Sequence, residues 1–491
     1  MNATWIWIAI GIYVVIAGAT AWLSRHSSQG TMAGYFLGNR KMGGFVSAMS
    51  YSATTYSAFM LIGLAGLTYT GGVGALGFEL IYLCGVTLVL IFGPRFWFVG
   101  KKYGYVTPSE MLGDRYEKRS VATIAALCSL VFLIPYAAVQ LAGVGYLLSG
   151  ITNDHISFTT GTIVATALAL VFSLVAGLRS VAWTDTLQAL FMMVTATVVV
   201  IIVVHHLGGI DEFFNKLQTD HPGALSVPGT GYFTFSTFLG LTLPWMFFSL
   251  SNPQVSQRLF TPGTLKDMRH MLLGFMVFGF IYTLVAVVWG FAAVVKFPGL
   301  ETGDLATPKL LGSGIVPTGL AVIVMIGIIA AAVSTIDSIM LTLSSMVARD
   351  VYAAGRSEAN DRKELRVGKF MLPVIAGLAY LFAQLELDLI AVLSVSASAG
   401  LLVMVPSLIG AFFWRRGTAV GAIWSIISGG ILVFILEFGQ IKLLGQGSGV
   451  WGLGVSAAVF VTLSLLTPRP EGRAQDFVDH VKDQLASHRA L

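Results

Sequence analysis

The chain reads as an all-α polytopic membrane protein with 13 transmembrane helices, its amino terminus outside and its carboxyl terminus inside. Three observations predict this. Of 491 residues, 56% are hydrophobic and only 11% charged, with a mean hydropathy of +0.81, whereas a soluble chain carries roughly 25% charged residues. The charges gather in short clusters between apolar runs of about 20 residues, the length that crosses the hydrocarbon as a helix. The basic residues fall almost wholly on alternate connections, the pattern of cytoplasmic loops. Together these features exclude a soluble enzyme, a disordered chain and a nucleic-acid binder. The surplus of 29 Lys and Arg over 24 Asp and Glu reports where loops lie, not affinity for a polyanion. Cys84 and Cys128 both sit inside apolar runs, so neither a disulfide framework nor a metal cluster is expected.

Taken in order, the first run, 4–23, has no Lys or Arg before it and no clean cleavage site after it, so it is a retained helix, not a signal peptide. Further runs fall at 44–69, 75–99, 121–149, 157–177, 182–205, 234–252, 271–295, 316–347, 369–386, 388–413, 419–438 and 449–467. Glu386 and Asp388 mark a tight turn between the tenth and eleventh. With odd-numbered connections inside, every basic residue except Lys216, Lys296, Lys309 and Lys442 lies on that side, and one missed span would scramble the bias downstream. In the tail, 469–491, Phe477, Val478, Val481 and Leu485 recur at helical spacing, which suits a helix lying on the inner membrane surface.

Two spans are interrupted. The second carries Ser47, Ser50, Ser52, Thr54, Thr55 and Ser57, then Gly63 and Gly66; the seventh brackets Trp245, Ser249, Ser251 and Asn252 between Pro244 and Pro253. Small residues also serve close helix packing. Matching breaks in two halves, however, point to a transporter binding site. The two lie five helices apart, an odd number, so the second unit enters the membrane from the opposite side. A 5+5 inverted repeat follows, with 43–177 and 182–205 as the first unit and 234–413 as the second. The first helix and the two of 419–467 are peripheral, and residues 1–468 form one transporter domain.

The ninth span reads IIAAAVSTIDSIMLTLSSMVARDVY from Ile328. Helical spacing puts Ala331, Ser334, Thr335 and Ser338 on one side, with Asp337 beside them. Sodium prefers oxygen ligands, and hydroxyls here together with carbonyls freed at a broken helix supply them. Ser and Thr in membrane helices also commonly bond to their own carbonyls. An ionisable residue deep in a span is functional by default; Asp337 is one, and Asp185 is a second, for which an interfacial pair with Arg179 is the plainer alternative. Glu79, Glu437 and the His205–His206 pair lie near outer ends of spans and receive no role. No nucleophile elbow, phosphate loop or zinc motif is present.

The stretch YFLGNRKMGGFVSAMSYSAT from Tyr35, the segment RSVAWTDTLQ, and AAAVSTIDS followed by RDVY resemble the sodium:solute symporter family, in its proline, pantothenate and monocarboxylate branch. The resemblance runs from about Ala33 to Tyr352 and implies a core of the leucine-transporter type. It implies a sodium ion held by the carbonyls of Ala53, Tyr56 and Ala331 and the hydroxyls of Ser334 and Thr335. Some members bind a second cation, at positions matching Asp185, Ser334, Asp337 and Ser338; Asp337 stands where several relatives have a hydroxyl residue. The solute pocket of the proline-type members maps onto Thr55, Ser57, Tyr136, Trp245 and Pro253, and Gln140, Asn252 and Gln254 adjoin it. Those members carry an Asp where Thr55 stands, which argues against proline.

The expected activity is sodium-coupled uptake of a small carboxylate or amino-acid-like solute by alternating access. Sodium is the coupling ion, and no other cofactor is expected. A monomer in the cell membrane, with lipid around it and no nucleic-acid partner, completes the expectation. Proton coupling through Asp337 and Asp185 is the alternative on the same fold, and an uncoupled channel or sensor the alternative from another class. An enzyme is not expected.

Overall fold

The computed structural model describes residues 3–24, 30–354, 360–386, 390–470 and 472–488. Among these residues it is helical, with no strand and one isolated bridge between Met42 and Pro262. The order is α1 (Ala3–Ser24), α2 (Met32–Leu37), α3 (Gly44–Thr55), α4 (Ala65–Gly71), α5 (Gly74–Gly85), α6 (Thr87–Tyr103), α7 (Pro108–Arg115), α8 (Arg119–Thr152), α9 (Phe158–His206), α10 (Gly209–Asp220) and α11 (Phe235–Met246). It continues with α12 (Phe248–Ser251), α13 (Pro253–Ser256), α14 (Leu265–Lys296), α15 (Ala306–Gly312), α16 (Thr318–Met346), α17 (Asp361–Ala383), α18 (Ile390–Leu401), α19 (Val405–Phe413), α20 (Ala419–Phe438), α21 (Ser448–Leu466) and α22 (Arg473–Ser487).

Among the described residues, ten helical stretches are long and apolar enough to cross a membrane. The three remaining apolar runs of the sequence are also helical but interrupted or short. The second is split into α3 and Phe59–Gly71, the fifth is the Phe158–Leu174 part of α9, and the seventh is cut into α11, α12 and α13. The fifth and sixth runs join in α9, which bends at Gly177 (φ 59°, ψ 173°). That backbone is nearly exclusive to glycine, and Tyr35 packs where a Cβ would stand. Of the turn expected between the tenth and eleventh runs, Glu386 has left-handed backbone (φ 47°); Asp388 lies outside the described residues, as do Arg25, Arg356 and Arg489.

Connections that the charge pattern places on one side touch one another. On the basic side, Arg40 donates to the Tyr105 carbonyl at 2.9 Å, Lys101 to that of Gly263 at 3.1 Å, and Arg115 to those of Ala411 and Trp414 at 2.8 and 3.1 Å. Arg349 bridges Glu110 and Glu364, each at 2.8 Å. At the other end, Val73 N–H donates to Ala224 at 2.7 Å, Tyr69 to the Phe297 carbonyl at 2.7 Å, and Ile390 N–H to the Asp304 carboxylate at 2.9 Å.

The tail departs from expectation. Its apolar residues Ala474, Phe477, Val478, Val481 and Leu485 are buried in α22, but against α6, α7 and α19, not on the open surface where lipid would lie. Phe477 stacks on Tyr103 at 6.2 Å and contacts Phe412 at 5.4 Å, and Arg473 holds Asp114 at 2.6 Å.

The centre of the bundle is α16, buried continuously from Gly327 to Met346 and packed on α8 and α9. α3 packs on α9 and α14 and meets α16, so the end of α3 opens into the middle of the protein. α1 lies on the rim, with Trp5, Val15, Ile16 and Leu23 exposed.

Candidate ion and solute site

The two breaks have separate local causes. α3 ends at Thr55; Tyr56 leaves the helical region (φ −92°, ψ 82°) although its N–H still reaches the Ser52 carbonyl at 2.6 Å. Ser57 then accepts from Phe59 N–H at 3.2 Å and starts the next helical stretch, as a side-chain cap does. The carbonyls at the end of α3 are thereby released from the helix ladder. In the seventh run, Pro253 has no N–H and biases Asn252 towards extended backbone, which is found there (φ −86°, ψ 111°).

α16 faces the first break. Thr335 directs its hydroxyl at the Ala53 carbonyl (3.1 Å) and, more distantly, at that of Thr54 (3.4 Å). Ala331 lies one helical turn before Thr335, and Ala53, Tyr56, Ala331, Ser334 and Thr335 are all buried. Of these, Thr335 is the one whose hydroxyl meets the unwound end of α3, while the Ser334 hydroxyl is on Asp185; carbonyl and hydroxyl oxygens are the donor types that suit a hard monovalent cation.

Beside it lies a charged network that spacing alone did not reveal. Asp185 accepts from Ser334 at 2.5 Å and from Ser50 at 2.8 Å, and Arg258 stands 3.7 Å from it. The Arg258 guanidinium also donates to Ser50 (2.8 Å), Thr54 (2.8 Å) and Ser338 (2.6 Å). Both charged side chains are at most 4% exposed. The cation beside Asp185 is therefore Arg258, whereas Arg179 is exposed. Asp337 turns elsewhere, accepting from Ser173 at 2.8 Å and bordering a cavity of about 10 Å³ with Thr184 and Gln188. Of the four residues of the expected second cation site, Ser338 lies with Asp185 and Arg258, Asp337 faces the cavity, and Ser334 joins the two, bonded to Asp185 and lining the same cavity as Asp337.

A third group lies around the seventh break. Trp245 packs among Phe59 (4.9 Å), Phe78 (5.3 Å) and Phe248 (5.0 Å), and Tyr136 meets Phe248 at 5.8 Å. The Trp245 indole donates to Glu79 at 3.0 Å, so Glu79, set aside as a residue near a helix end, is a buried carboxylate of this cluster. Among the described residues, Gln140, Gln254 and the Tyr136 hydroxyl are buried with no hydrogen-bond partner. Leaving such groups unmade costs about 1–3 kcal/mol each, a cost that a polar guest removes. Thr55 bonds back to the Tyr51 carbonyl at 2.9 Å, and Ser57 serves as the cap just described. Asn252 donates to Ser398 at 3.4 Å and accepts from Ser251 at 3.1 Å.

Arg258 and Glu79 are the residues sequence reasoning passed over. A basic residue just after a span counts as loop charge, and a carboxylate near a helix end counts as interfacial. A usable signal for Arg258 was its place five residues beyond Pro253 in a broken span, and for Glu79 the buried indole of Trp245, which needs an acceptor.

The sodium:solute symporter family pattern matches residues 35–429. The chain is 30% identical over 461 residues to the sodium/pantothenate symporter of Escherichia coli (strain K12), covering 92% of this chain and 94% of that one. It is 24% identical over 475 residues to the osmoregulated proline transporter OpuE of Bacillus subtilis (strain 168), covering 94% and 95%. In three dimensions it superposes on a Na+-coupled sialic acid symporter, solved substrate-bound and outward-open, with a TM-score of 0.79, 22% identity and coverage of 95% and 98%.

Proposed function

The chain belongs to the sodium:solute symporter family, a family of transporters and not of enzymes, and on that premise we propose that it imports a small organic acid or amino-acid-like solute with sodium. It does so as a multi-pass protein of the cell membrane, crossing 13 times with its amino terminus out. The meeting of like loops at the two ends of the molecule supports that path. The observation that carries the reading is Thr335 of α16 addressing the Ala53 carbonyl across the break that follows α3.

Sodium binds between the Ala53, Tyr56 and Ala331 carbonyls and the Ser334 and Thr335 hydroxyls. It ties the broken helix to α16 and favours the state that admits solute from outside. Ser334 keeps its donation to Asp185 and offers a lone pair of the same oxygen to the ion. The solute lies between Trp245, Tyr136, Gln140, Asn252, Pro253 and Gln254, with Thr55 and Ser57 at its edge. The free amide groups and hydroxyl satisfy its polar groups, and a carboxylate is favoured at a half-helix amino terminus. Arg258 is the fixed cation at Asp185 and Ser338. A second sodium at Asp185, Asp337 and Ser338 requires its withdrawal, so the cycle carries one sodium per solute.

Thermal unfolding of the purified protein with pantothenate, short monocarboxylates, amino acids and sugars, each with and without sodium, tests the proposal. A ligand at 100 times its Kd stabilises by about 2.7 kcal/mol. The expected result is one acid or amino acid that stabilises only in sodium. A ligand that stabilises equally in its absence overturns sodium coupling and points to protons.

A further inference from the structure

The carbonyl of Tyr56 lies beyond the last turn of α3, where the helix ladder no longer fixes the backbone. Its position is set from the side-chain end. The Tyr56 ring is 1% exposed, lies parallel to Phe275 at 5.1 Å (7°) and near-parallel to Phe278 at 5.9 Å (26°). Tyr82 and Tyr282 meet its edges at 6.0 and 6.3 Å. Phe275, Phe278, Gly279 and Tyr282 recur at three- and four-residue steps, one face of α14.

Gly279 makes the socket deep enough. A Cβ at that position would lie 2.8 Å from the ring carbons Cε2 and Cζ of Tyr56 and would strike its hydroxyl outright. The same helix holds both halves of the broken run. Asp267 in its first turn accepts from Gly44 N–H at 2.8 Å, a Cβ on Gly274 would be 2.8 Å from Ala48, and one on Gly290 would be 2.5 Å from the Ala65 carbonyl. α14 thus runs along α3 and α4 and bridges the break between them.

We infer that Gly279, with the Phe275 face beside it, is a positioning residue of the ion site. By admitting the Tyr56 ring it sets where the Tyr56 carbonyl stands, and so it sets sodium affinity without touching ion or solute. The inference rests on the ion site proposed above.

The test is uptake of the identified solute by the full chain in proteoliposomes, with sodium varied. Gly279→Ala should raise half-saturating sodium roughly three- to thirty-fold while the maximal rate at saturating sodium stays near wild type. The Tyr56 hydroxyl has no partner among the described residues and is the atom that an added Cβ at Gly279 meets first, so Tyr56→Phe should restore part of the lost sodium affinity when combined with Gly279→Ala. Phe275→Leu, which removes the stacking face without overfilling the socket, should shift sodium affinity the same way and decides the matter if Gly279→Ala does not insert. A fall in rate or yield with unchanged half-saturating sodium, or no rescue by Tyr56→Phe, assigns Gly279 a packing role and overturns the inference. Thr335→Ala in the same assay separates the two readings. If it raises the sodium requirement and the socket variants do not, only this inference falls; if neither does, the ion site itself is wrong.

Discussion

Asp185 is held from three directions, by Ser50 of α3, Ser334 of α16 and Arg258 beyond α13. Such a buried pair adds little net stability, but breaking it by removing one partner is expensive, about 3–5 kcal/mol, because the other charge is left buried and alone. Asp185→Asn strands the Arg258 guanidinium, and Arg258→Gln added to it removes the stranded charge. Thermal unfolding in detergent should rank the wild type above the double variant and the double variant above Asp185→Asn. A single variant as stable as wild type would mean that Arg258 finds another counter-charge. At this scale the sequence was partly legible. Ser334 and Thr335 could be read because a helical period fixes which residues share a face, and Thr335 does point at Ala53. Arg258 was passed over, since a pattern that counts charges by loop has no term for a guanidinium folded back among hydroxyls; its place five residues beyond Pro253 is the one mark it leaves in the sequence. Glu79 escaped for the same reason: distance along a span does not reveal the Trp245 indole packed across from it.

Among the elements, the breaks were legible from composition, because Pro253 and the hydroxyl-rich end of α3 act locally. The partner of an amphipathic helix is not local. The stripe of Phe477, Val478, Val481 and Leu485 needs an apolar cover, and a membrane surface or a protein groove satisfies it equally. In the fold, α6, α7 and α19 provide the cover, and Arg473 with Asp114 pins the start of α22. Burying a phenylalanine completely makes its truncation cost about 3–5 kcal/mol. Phe477→Ala should therefore undock the tail, read as rapid proteolysis after Pro470 under conditions where the wild type and exposed Lys482→Ala stay intact. Equal resistance in all three would mean that α22 is not held through its apolar face. Sodium-dependent uptake should survive the truncation, since the elements that α22 packs on among the described residues, α6, α7 and α19, carry none of the ion or solute residues described above.

For the whole molecule, the 13 apolar runs and the bias of basic residues are properties of hydrocarbon thickness and loop charge, and these are written along the chain. Which loops meet is not, yet the loops sort into two ends as the bias requires. On that path α10 is outside and α22 inside. Lys216→Cys should react with an impermeant maleimide on intact cells, and Lys482→Cys only after permeabilisation; the reverse inverts the orientation. Direction then sets what the membrane potential contributes. One charge moved inward across 100 mV contributes about 2.3 kcal/mol, roughly fifty-fold in accumulation. On the proposed cycle, in which Arg258 stays among Asp185, Ser50, Thr54 and Ser338, one sodium travels with each solute. For a monoanionic solute the translocated charge is then zero, and an imposed inside-negative potential should leave sodium-driven uptake into proteoliposomes unchanged. A zwitterion carried by the same cycle moves one positive charge, so the same potential should stimulate its uptake strongly. If the monoanion is also stimulated, a second cation moves with it. Arg258 must then leave Ser338 during the cycle, and Asp185 and Asp337 become the place to look for that ion.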